Sequence, residues 1–132
     1  MDLFQIYKEF LGIKAEIISL IEDISDNDMK DCTDQNISNS LLGEKNKLEF
    51  MKIKVDDVEV TEDNIEMVNQ LKMSIMDALF LLVDLLKFYH SASVERFRMR
   101  VYNYVNKDRM ERFIKDNPFE SNISFGNCRV DK

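Results

Sequence analysis

The sequence predicts an all-α fold, a small bundle of four to five helices. Two stretches, 2–25 and 65–89, repeat apolar residues at alternating steps of three and four, which is the period of one face of an α-helix. The chain has one proline and three glycines in 132 residues, and this scarcity favours long helices over a turn-rich β-sandwich. A chain of this length can bury a conventional core. We therefore expect residues 1–132 to form a single helical domain with an irregular tail at 119–132.

The first helix is predicted between Asp2 and about Ser25. Its apolar side chains occupy heptad positions a and d without interruption, and charged side chains cover the opposite side. The members of this seam are Leu3, Ile6, Phe10, Ile13, Ile17, Leu20 and Ile24. A seam of this length requires a packing partner, and the apolar stretch at 65–89 is the expected one.

Residues 35–60 give weaker and mixed patterns. Gly43 and three asparagines lower the helix propensity of the first part, so a shorter helix is predicted over about 39–50. Residues 51–60 then alternate apolar and polar side chains around a central Asp-Asp pair. This alternation predicts a minor β-hairpin near 51–60.

The central helix is predicted over Ile65–Tyr89. Apolar residues cover most of its circumference, which is typical of a core helix with several neighbours. Thr61 is the expected N-cap, and acidic residues follow it where the helix dipole favours them. The purest apolar run is too short for a membrane span and contains Asp84, so no membrane association is expected.

Residues 96–105 fit either a helix or a strand. A helix is favoured because Ser93 is a plausible N-cap and the flanking segments are helical. Its apolar face changes direction near 106–107, which predicts a break there and a short helix ending at Asp116. The alternative is an α+β fold in which 96–105 forms a third strand beside the hairpin.

The sequence carries no recognisable catalytic or metal-binding motif. His90 is the only histidine, and Cys32 and Cys128 lack the spacing of a zinc site. Asp77 and Asp84 lie on the polar stripe of the central helix, where we expect Asp84 to pair with Lys87. We therefore expect no catalysis, no cofactor and no bound metal.

Charge is distributed unevenly along the chain, whose net charge is −7. Residues 1–66 hold 17 acids and 7 lysines, giving −10, whereas residues 67–132 hold 8 acids and 11 bases, giving +3. The acidic total disfavours nonspecific binding to nucleic acid or to anionic membranes. The asymmetry still permits a local basic patch, or contact between the acidic and basic halves within or between chains.

A basic and aromatic cluster between Arg96 and Lys115 is the strongest functional indication in the sequence. Such residues can hold phosphates and stack bases, which makes a nucleic-acid-binding regulator the alternative function. Acidic residues are interspersed, however, and no established nucleic-acid-binding motif is visible. The predicted binding patch consists of Arg96, Arg98, Arg100, Tyr102, Tyr104, Arg109 and Arg112.

The favoured function is protein–protein contact, as a regulatory or adaptor-like module. Residues 1–10 lack the basic start of a signal peptide, so a cytoplasmic protein with reduced thiols is expected. The two heptad faces exceed what a loose short helix can cover. We therefore expect a homodimer that buries part of the first and central helices, or another protein partner.

Overall fold

The computed structural model describes residues 2–27 and 34–116, and every regular element in those residues is helical. The helices are α1 (Leu3–Asn27), α2 (Gln35–Asp56), α3 (Ile65–His90) and α4 (Val94–Asp116). The predicted all-α helical bundle is confirmed, with four helices in the described part of the chain. The chain divides into two compact units, Met1–Val101 and Tyr102–Lys132, and the boundary falls within α4. The tail predicted at 119–132 lies outside the described residues.

The predicted seam of α1 forms most of the buried face of that helix. Ile6, Phe10, Ile17 and Ile24 are at most 1% exposed. The three remaining members of the seam are only half-buried, whereas Ile21, which lies beside the seam, is fully buried. The helix is therefore rotated slightly, so that the side carrying Ile21 also faces the core.

Helix α2 packs along both α1 and α3, whereas α1 and α3 approach each other over a small area only. The two helices do touch, but the expectation that α1 and α3 are each other's main packing partners is wrong. The reason is the length of α2, which has 22 residues and spans about 33 Å at 1.5 Å per residue. Leu41, Leu48 and Met51 of α2 are fully buried, so this helix supplies the contact surface that the other two require.

Ion pairs define an antiparallel arrangement of α1 and α2. The Lys47 ammonium lies 2.9 Å from the Glu16 carboxylate, and the Lys54 ammonium lies 2.8 Å from that of Glu9. Residue numbers rise along α2 as they fall along α1, so the two helices run in opposite directions. Both pairs are largely exposed, and exposed pairs of this kind contribute about 1 kcal/mol or less each.

Contacts at both ends of α2 place α3 antiparallel to it as well. At the start of α2, the Ser38 hydroxyl lies 2.5 Å from Nε2 of His90. At its end, the Asp56 carboxylate lies 3.5 Å from the Lys72 ammonium. Two antiparallel connections in succession make α1 and α3 parallel to each other.

The predicted β-hairpin near 51–60 is wrong, because 51–56 form the last turns of α2 and no strand occurs in the described residues. Met51 and Val55 lie one turn apart and are at most 1% exposed, whereas Ile53 is 59% exposed. Met51 and Val55 therefore face the core from one side of a helix, whereas Ile53, the apolar residue between them, faces outward. The Asp57 and Val58 amides then donate to carbonyls of this last turn, at 3.1 Å each, and end the helix.

The N-cap of helix α3 lies three residues after the predicted one. Thr61 and Asn64 bond reciprocally across a turn: the Thr61 amide donates to Oδ1 of Asn64 at 2.8 Å, and the Asn64 amide donates to Oγ1 of Thr61 at 3.3 Å. Thr61 therefore accepts a hydrogen bond from a free amide, as expected, but that amide belongs to Asn64, in the turn that precedes the helix. Asn64 is the N-cap, and Ile65 is the first helical residue.

A Schellman motif joins α3 to α4. The Ser93 amide donates to the Phe88 carbonyl at 2.8 Å, and the Ala92 amide donates to the Tyr89 carbonyl at 3.2 Å. Ala92 takes a positive φ of 56° where this motif usually places glycine. The sequence contains no glycine here, so the end of α3 lacks the usual sequence signal of this motif.

The favoured helix after Ser93 is confirmed, and the alternative strand at 96–105 is wrong. Phe97 and Val101 are at most 4% exposed, as the predicted helical face requires. The predicted break near 106–107 is also wrong, because α4 continues to Asp116.

Candidate interaction surfaces

A cluster of hydrogen bonds ties the start of α2 to the end of α3. The Tyr89 side chain is 2% exposed, and its hydroxyl accepts a hydrogen bond from the Asp34 amide at 3.0 Å. The Phe97 ring packs edge-on against Tyr89 at a centroid distance of 6.3 Å. Ser38, which bonds to His90, is buried at 6% exposure. These contacts join three helices at one end of the bundle.

The Ser38–His90 pair combines two residue types that occur in nucleophilic catalysis. Such a pair acts catalytically when a third group orients the imidazole and donors await the developing oxyanion. Within the described residues, the His90 imidazole has Ser38 as its one hydrogen-bonding partner. The arrangement therefore fits a structural clamp between α2 and α3.

The first part of the predicted binding patch is largely engaged within the chain. Nε of Arg98 donates to the Ser25 carbonyl at 3.1 Å, which ties α4 to the end of α1. Nε of Arg100 donates to Oδ2 of Asp84 at 2.9 Å. Arg96 is exposed and has no ion-pair or hydrogen-bond partner in the described part of the chain.

The Arg100–Asp84 ion pair corrects one sequence-based expectation. Asp84 was expected to pair with Lys87 one turn away on α3, and it pairs with α4 instead. The guanidinium can approach the carboxylate because α4 returns beside the end of α3. Lys87 is exposed, and it has no partner in the described residues.

The second part of the predicted patch lies in the Tyr102–Lys132 unit and is similarly mixed. Tyr102 is 63% exposed, whereas Tyr104 is 9% exposed. The Arg112 guanidinium binds the buried Asp108 carboxylate one turn away, with Nε 2.9 Å from Oδ2. Arg109 is exposed and also has an interaction partner. The side chain of Lys115 lies outside the described residues.

An outer apolar stripe on α3 is the main surface feature that the sequence analysis missed. Met73, Phe80 and Val83 are 68%, 56% and 46% exposed, and Met76 beside them is half-buried. The sequence predicts core contacts on several sides of this helix. The structure instead leaves one apolar side of the helix facing outward.

Charged residues stand at both ends of this stripe. Glu66, Met73, Phe80 and Lys87 follow one another at intervals of seven residues, and all are exposed. Seven residues turn an α-helix to within about 20° of the starting direction, so these side chains share one side of α3. Neither Glu66 nor Lys87 has an ion-pair partner among the residues that the structure describes. We call Glu66, Met73, Met76, Phe80, Val83 and Lys87 the α3 outer stripe.

A small charge cluster also joins α1 to α2. The Lys47 ammonium donates hydrogen bonds to Glu16 and Glu44 at 2.9 and 3.0 Å. The hydrogen bond from Lys47 lowers the pKa of the Glu16 carboxyl, and the hydrogen bond to Glu16 raises the pKa of Lys47. Both groups are therefore ionised at neutral pH.

We expect Lys47→Met to raise the pKa of Glu16 towards its ordinary value, because the hydrogen bond that favours the carboxylate is lost. A carboxyl group whose pKa is lower in the folded state than in the unfolded state stabilises the fold at pH values above its unfolded-state pKa. This contribution is lost as the pH falls through the folded-state pKa. The measurement is a carboxyl NMR titration of Glu16. Lys45→Met is the matched control, because Lys45 pairs with Glu49 instead; an equal shift in both variants would contradict the assignment.

The packed helices and their outward-facing side chains define an all-α helical-bundle protein. Comparisons with protein-family models, curated proteins and solved structures find no match for this chain. None of the described helices is long and apolar enough to cross a membrane. Across residues 2–27 and 34–116, no group of three or more histidine, cysteine, aspartate or glutamate side chains is placed to hold a metal ion.

Proposed function

We propose that this chain acts through protein–protein contact, as a regulatory or adaptor-like module in the cytoplasm that catalyses no reaction. The observation that carries the proposal is the α3 outer stripe. Single exposed apolar residues are ordinary on a protein surface, but a contiguous row with polar ends is typical of an interaction site. Aromatic residues and methionine are also enriched in protein interfaces.

The bundle supports this stripe on a rigid backbone. The opposite side of α3 carries Leu71, Ile75, Leu82 and Leu85, which are at most 2% exposed. The outward side chains therefore project from a helix whose position is set by packing against α2. A preformed surface of this kind loses little conformational entropy when a partner binds.

Contacts within the chain weigh against the alternative function of nucleic-acid binding through the predicted patch. Arg98, Arg100 and Arg112 each donate hydrogen bonds to an acceptor within the chain. Binding phosphate through these groups requires giving up or sharing those bonds. We therefore favour a protein partner and keep nucleic acid as an outcome of the test.

The test is affinity capture from cells of the source organism, comparing the full chain with a Met73→Ala/Phe80→Ala variant. Captured proteins are identified by mass spectrometry, and captured nucleic acid is quantified. We expect specific proteins to be lost from the variant, because it removes the two most exposed large side chains of the stripe.

The matched control is Phe50→Ala/Ile53→Ala, which truncates side chains of 67% and 59% exposure on α2. This control is expected to retain the same proteins. Equal capture by all three chains would overturn the proposal. Recovery of nucleic acid alone, released by raised salt, would favour the alternative function instead.

A further inference from the structure

The α3 outer stripe fits a second copy of itself, and we infer that two copies of this chain pair through it with their α3 helices antiparallel. The inference rests on the proposed function and identifies the partner as this same chain. In a two-fold symmetric contact the same surface is used twice, so that surface must complement its own inverted copy. The α3 outer stripe meets this requirement in the order of its charged and apolar residues.

The charge pattern selects the antiparallel orientation. Glu66 stands at the amino end of the stripe and Lys87 at its carboxyl end, and neither has a partner within the described part of the chain. In an antiparallel pair, Glu66 faces the partner's Lys87, and Lys87 faces the partner's Glu66. A parallel pair would bring like charges together at both ends, which is unfavourable.

The apolar part of the stripe fits the same alignment. The register that joins Glu66 to the partner's Lys87 also places Met73 against the partner's Phe80, once on each side of the symmetry axis. Contact between a thioether and an aromatic ring is favourable. Met76 and Val83 lie beside these residues and complete a row spaced by three and four residues, which is the spacing of a two-helix seam.

The expected association is weak. A stable complex buries about 800 Å² on each partner, and a single pair of crossing helices supplies less. Asp77 lies beside the stripe near the symmetry axis, so it approaches the partner's Asp77, and like charges weaken the contact. We therefore expect a dissociation constant in the micromolar range, so that pairing depends on concentration.

Sedimentation equilibrium of the full chain between roughly 5 and 500 µM tests this inference, since the range brackets micromolar affinity. We expect a monomer–dimer equilibrium. Phe80→Ala should weaken it by about 10-fold or more, because the two-fold contact loses the ring twice. Phe50→Ala, on the outer side of α2, is the matched control and should change it by less than about 2-fold.

Charge exchange tests the orientation. Glu66→Lys and Lys87→Glu should each weaken dimerisation by about 5-fold, and the double variant should restore it because both ion pairs are rebuilt with reversed polarity. Circular dichroism checks that each variant remains folded. A double variant no better than the single ones would overturn the antiparallel contact, as would an unchanged constant in Phe80→Ala.

A monomer at every concentration would also overturn the inference. That result is distinguishable from failure of the proposed function. Capture of another protein by the wild-type chain, lost in Met73→Ala/Phe80→Ala, would still support protein contact through α3. If the chain neither dimerised nor captured a protein that is lost in Met73→Ala/Phe80→Ala, both the inference and the proposed function would be wrong.

Discussion

Leu48→Ala is expected to lower the free energy of unfolding by about 2–5 kcal/mol. Leu48 is fully buried on α2, the helix that packs against both α1 and α3. Truncation removes apolar contacts and leaves a cavity that surrounding helices fill only in part. Because α2 packs against both α1 and α3, we expect one cooperative transition at lower denaturant concentration. Urea denaturation followed by circular dichroism measures the change.

Leu42→Ala is the matched control for this prediction. It makes the same chemical change on the same helix, but Leu42 is 45% exposed. The loss of buried area is smaller, and alanine has the higher helix propensity, so the expected change is less than about 1 kcal/mol. Equal destabilisation by the two variants would contradict the central position of α2.

Ile53→Pro is expected to lower the free energy of unfolding by about 3 kcal/mol or more, because proline in a helix interior removes a backbone donor and clashes with the preceding turn. Ile53 lies four residues before the Asp57 amide that closes the last turn of α2. Disruption at this position also loosens Met51 and Val55, which are buried on the same turns.

Ile53→Ala separates the backbone effect from loss of the side chain. Ile53 is 59% exposed, so this control should change the free energy of unfolding by less than about 1 kcal/mol. Thermal and urea unfolding of both variants provide the comparison. If proline were tolerated as well as alanine, residues 51–56 would not form the end of a helix.

Leu48 and Ile53 both lie in α2, a helix whose length is predicted poorly from the sequence. An uninterrupted seam of seven apolar residues at helical spacing located α1. Gly43 and three asparagines weakened the signal of α2. Leu41, Leu48 and Met51 are buried along this helix, and single-sequence propensity does not contain that tertiary contribution.

Pairings between distant segments were also beyond sequence-based prediction. Lys87 was the expected partner of Asp84 because it is a local neighbour, but Arg100 reaches Asp84 from α4. Likewise, an apolar residue on α3 does not reveal whether it faces α2 or solvent until the packing is known. The seven-residue spacing from Glu66 to Lys87 is visible in the sequence. Only the exposure of Met73 and Phe80 in the structure shows that these residues lie on an outward-facing surface.

The ion pairs between α1 and α2 have a consequence for how these helices find their alignment. Acidic residues recur on α1 and just before it at exact heptad intervals, at Asp2, Glu9, Glu16 and Asp23. Lys47 and Lys54 have the same spacing, so sliding α2 by two helical turns in either direction would offer each lysine a new carboxylate. The ion pairs between α1 and α2 can therefore form at more than one offset of the two helices. Selection of a single offset therefore falls to the shape of buried side chains, of which Phe10 is the largest on α1.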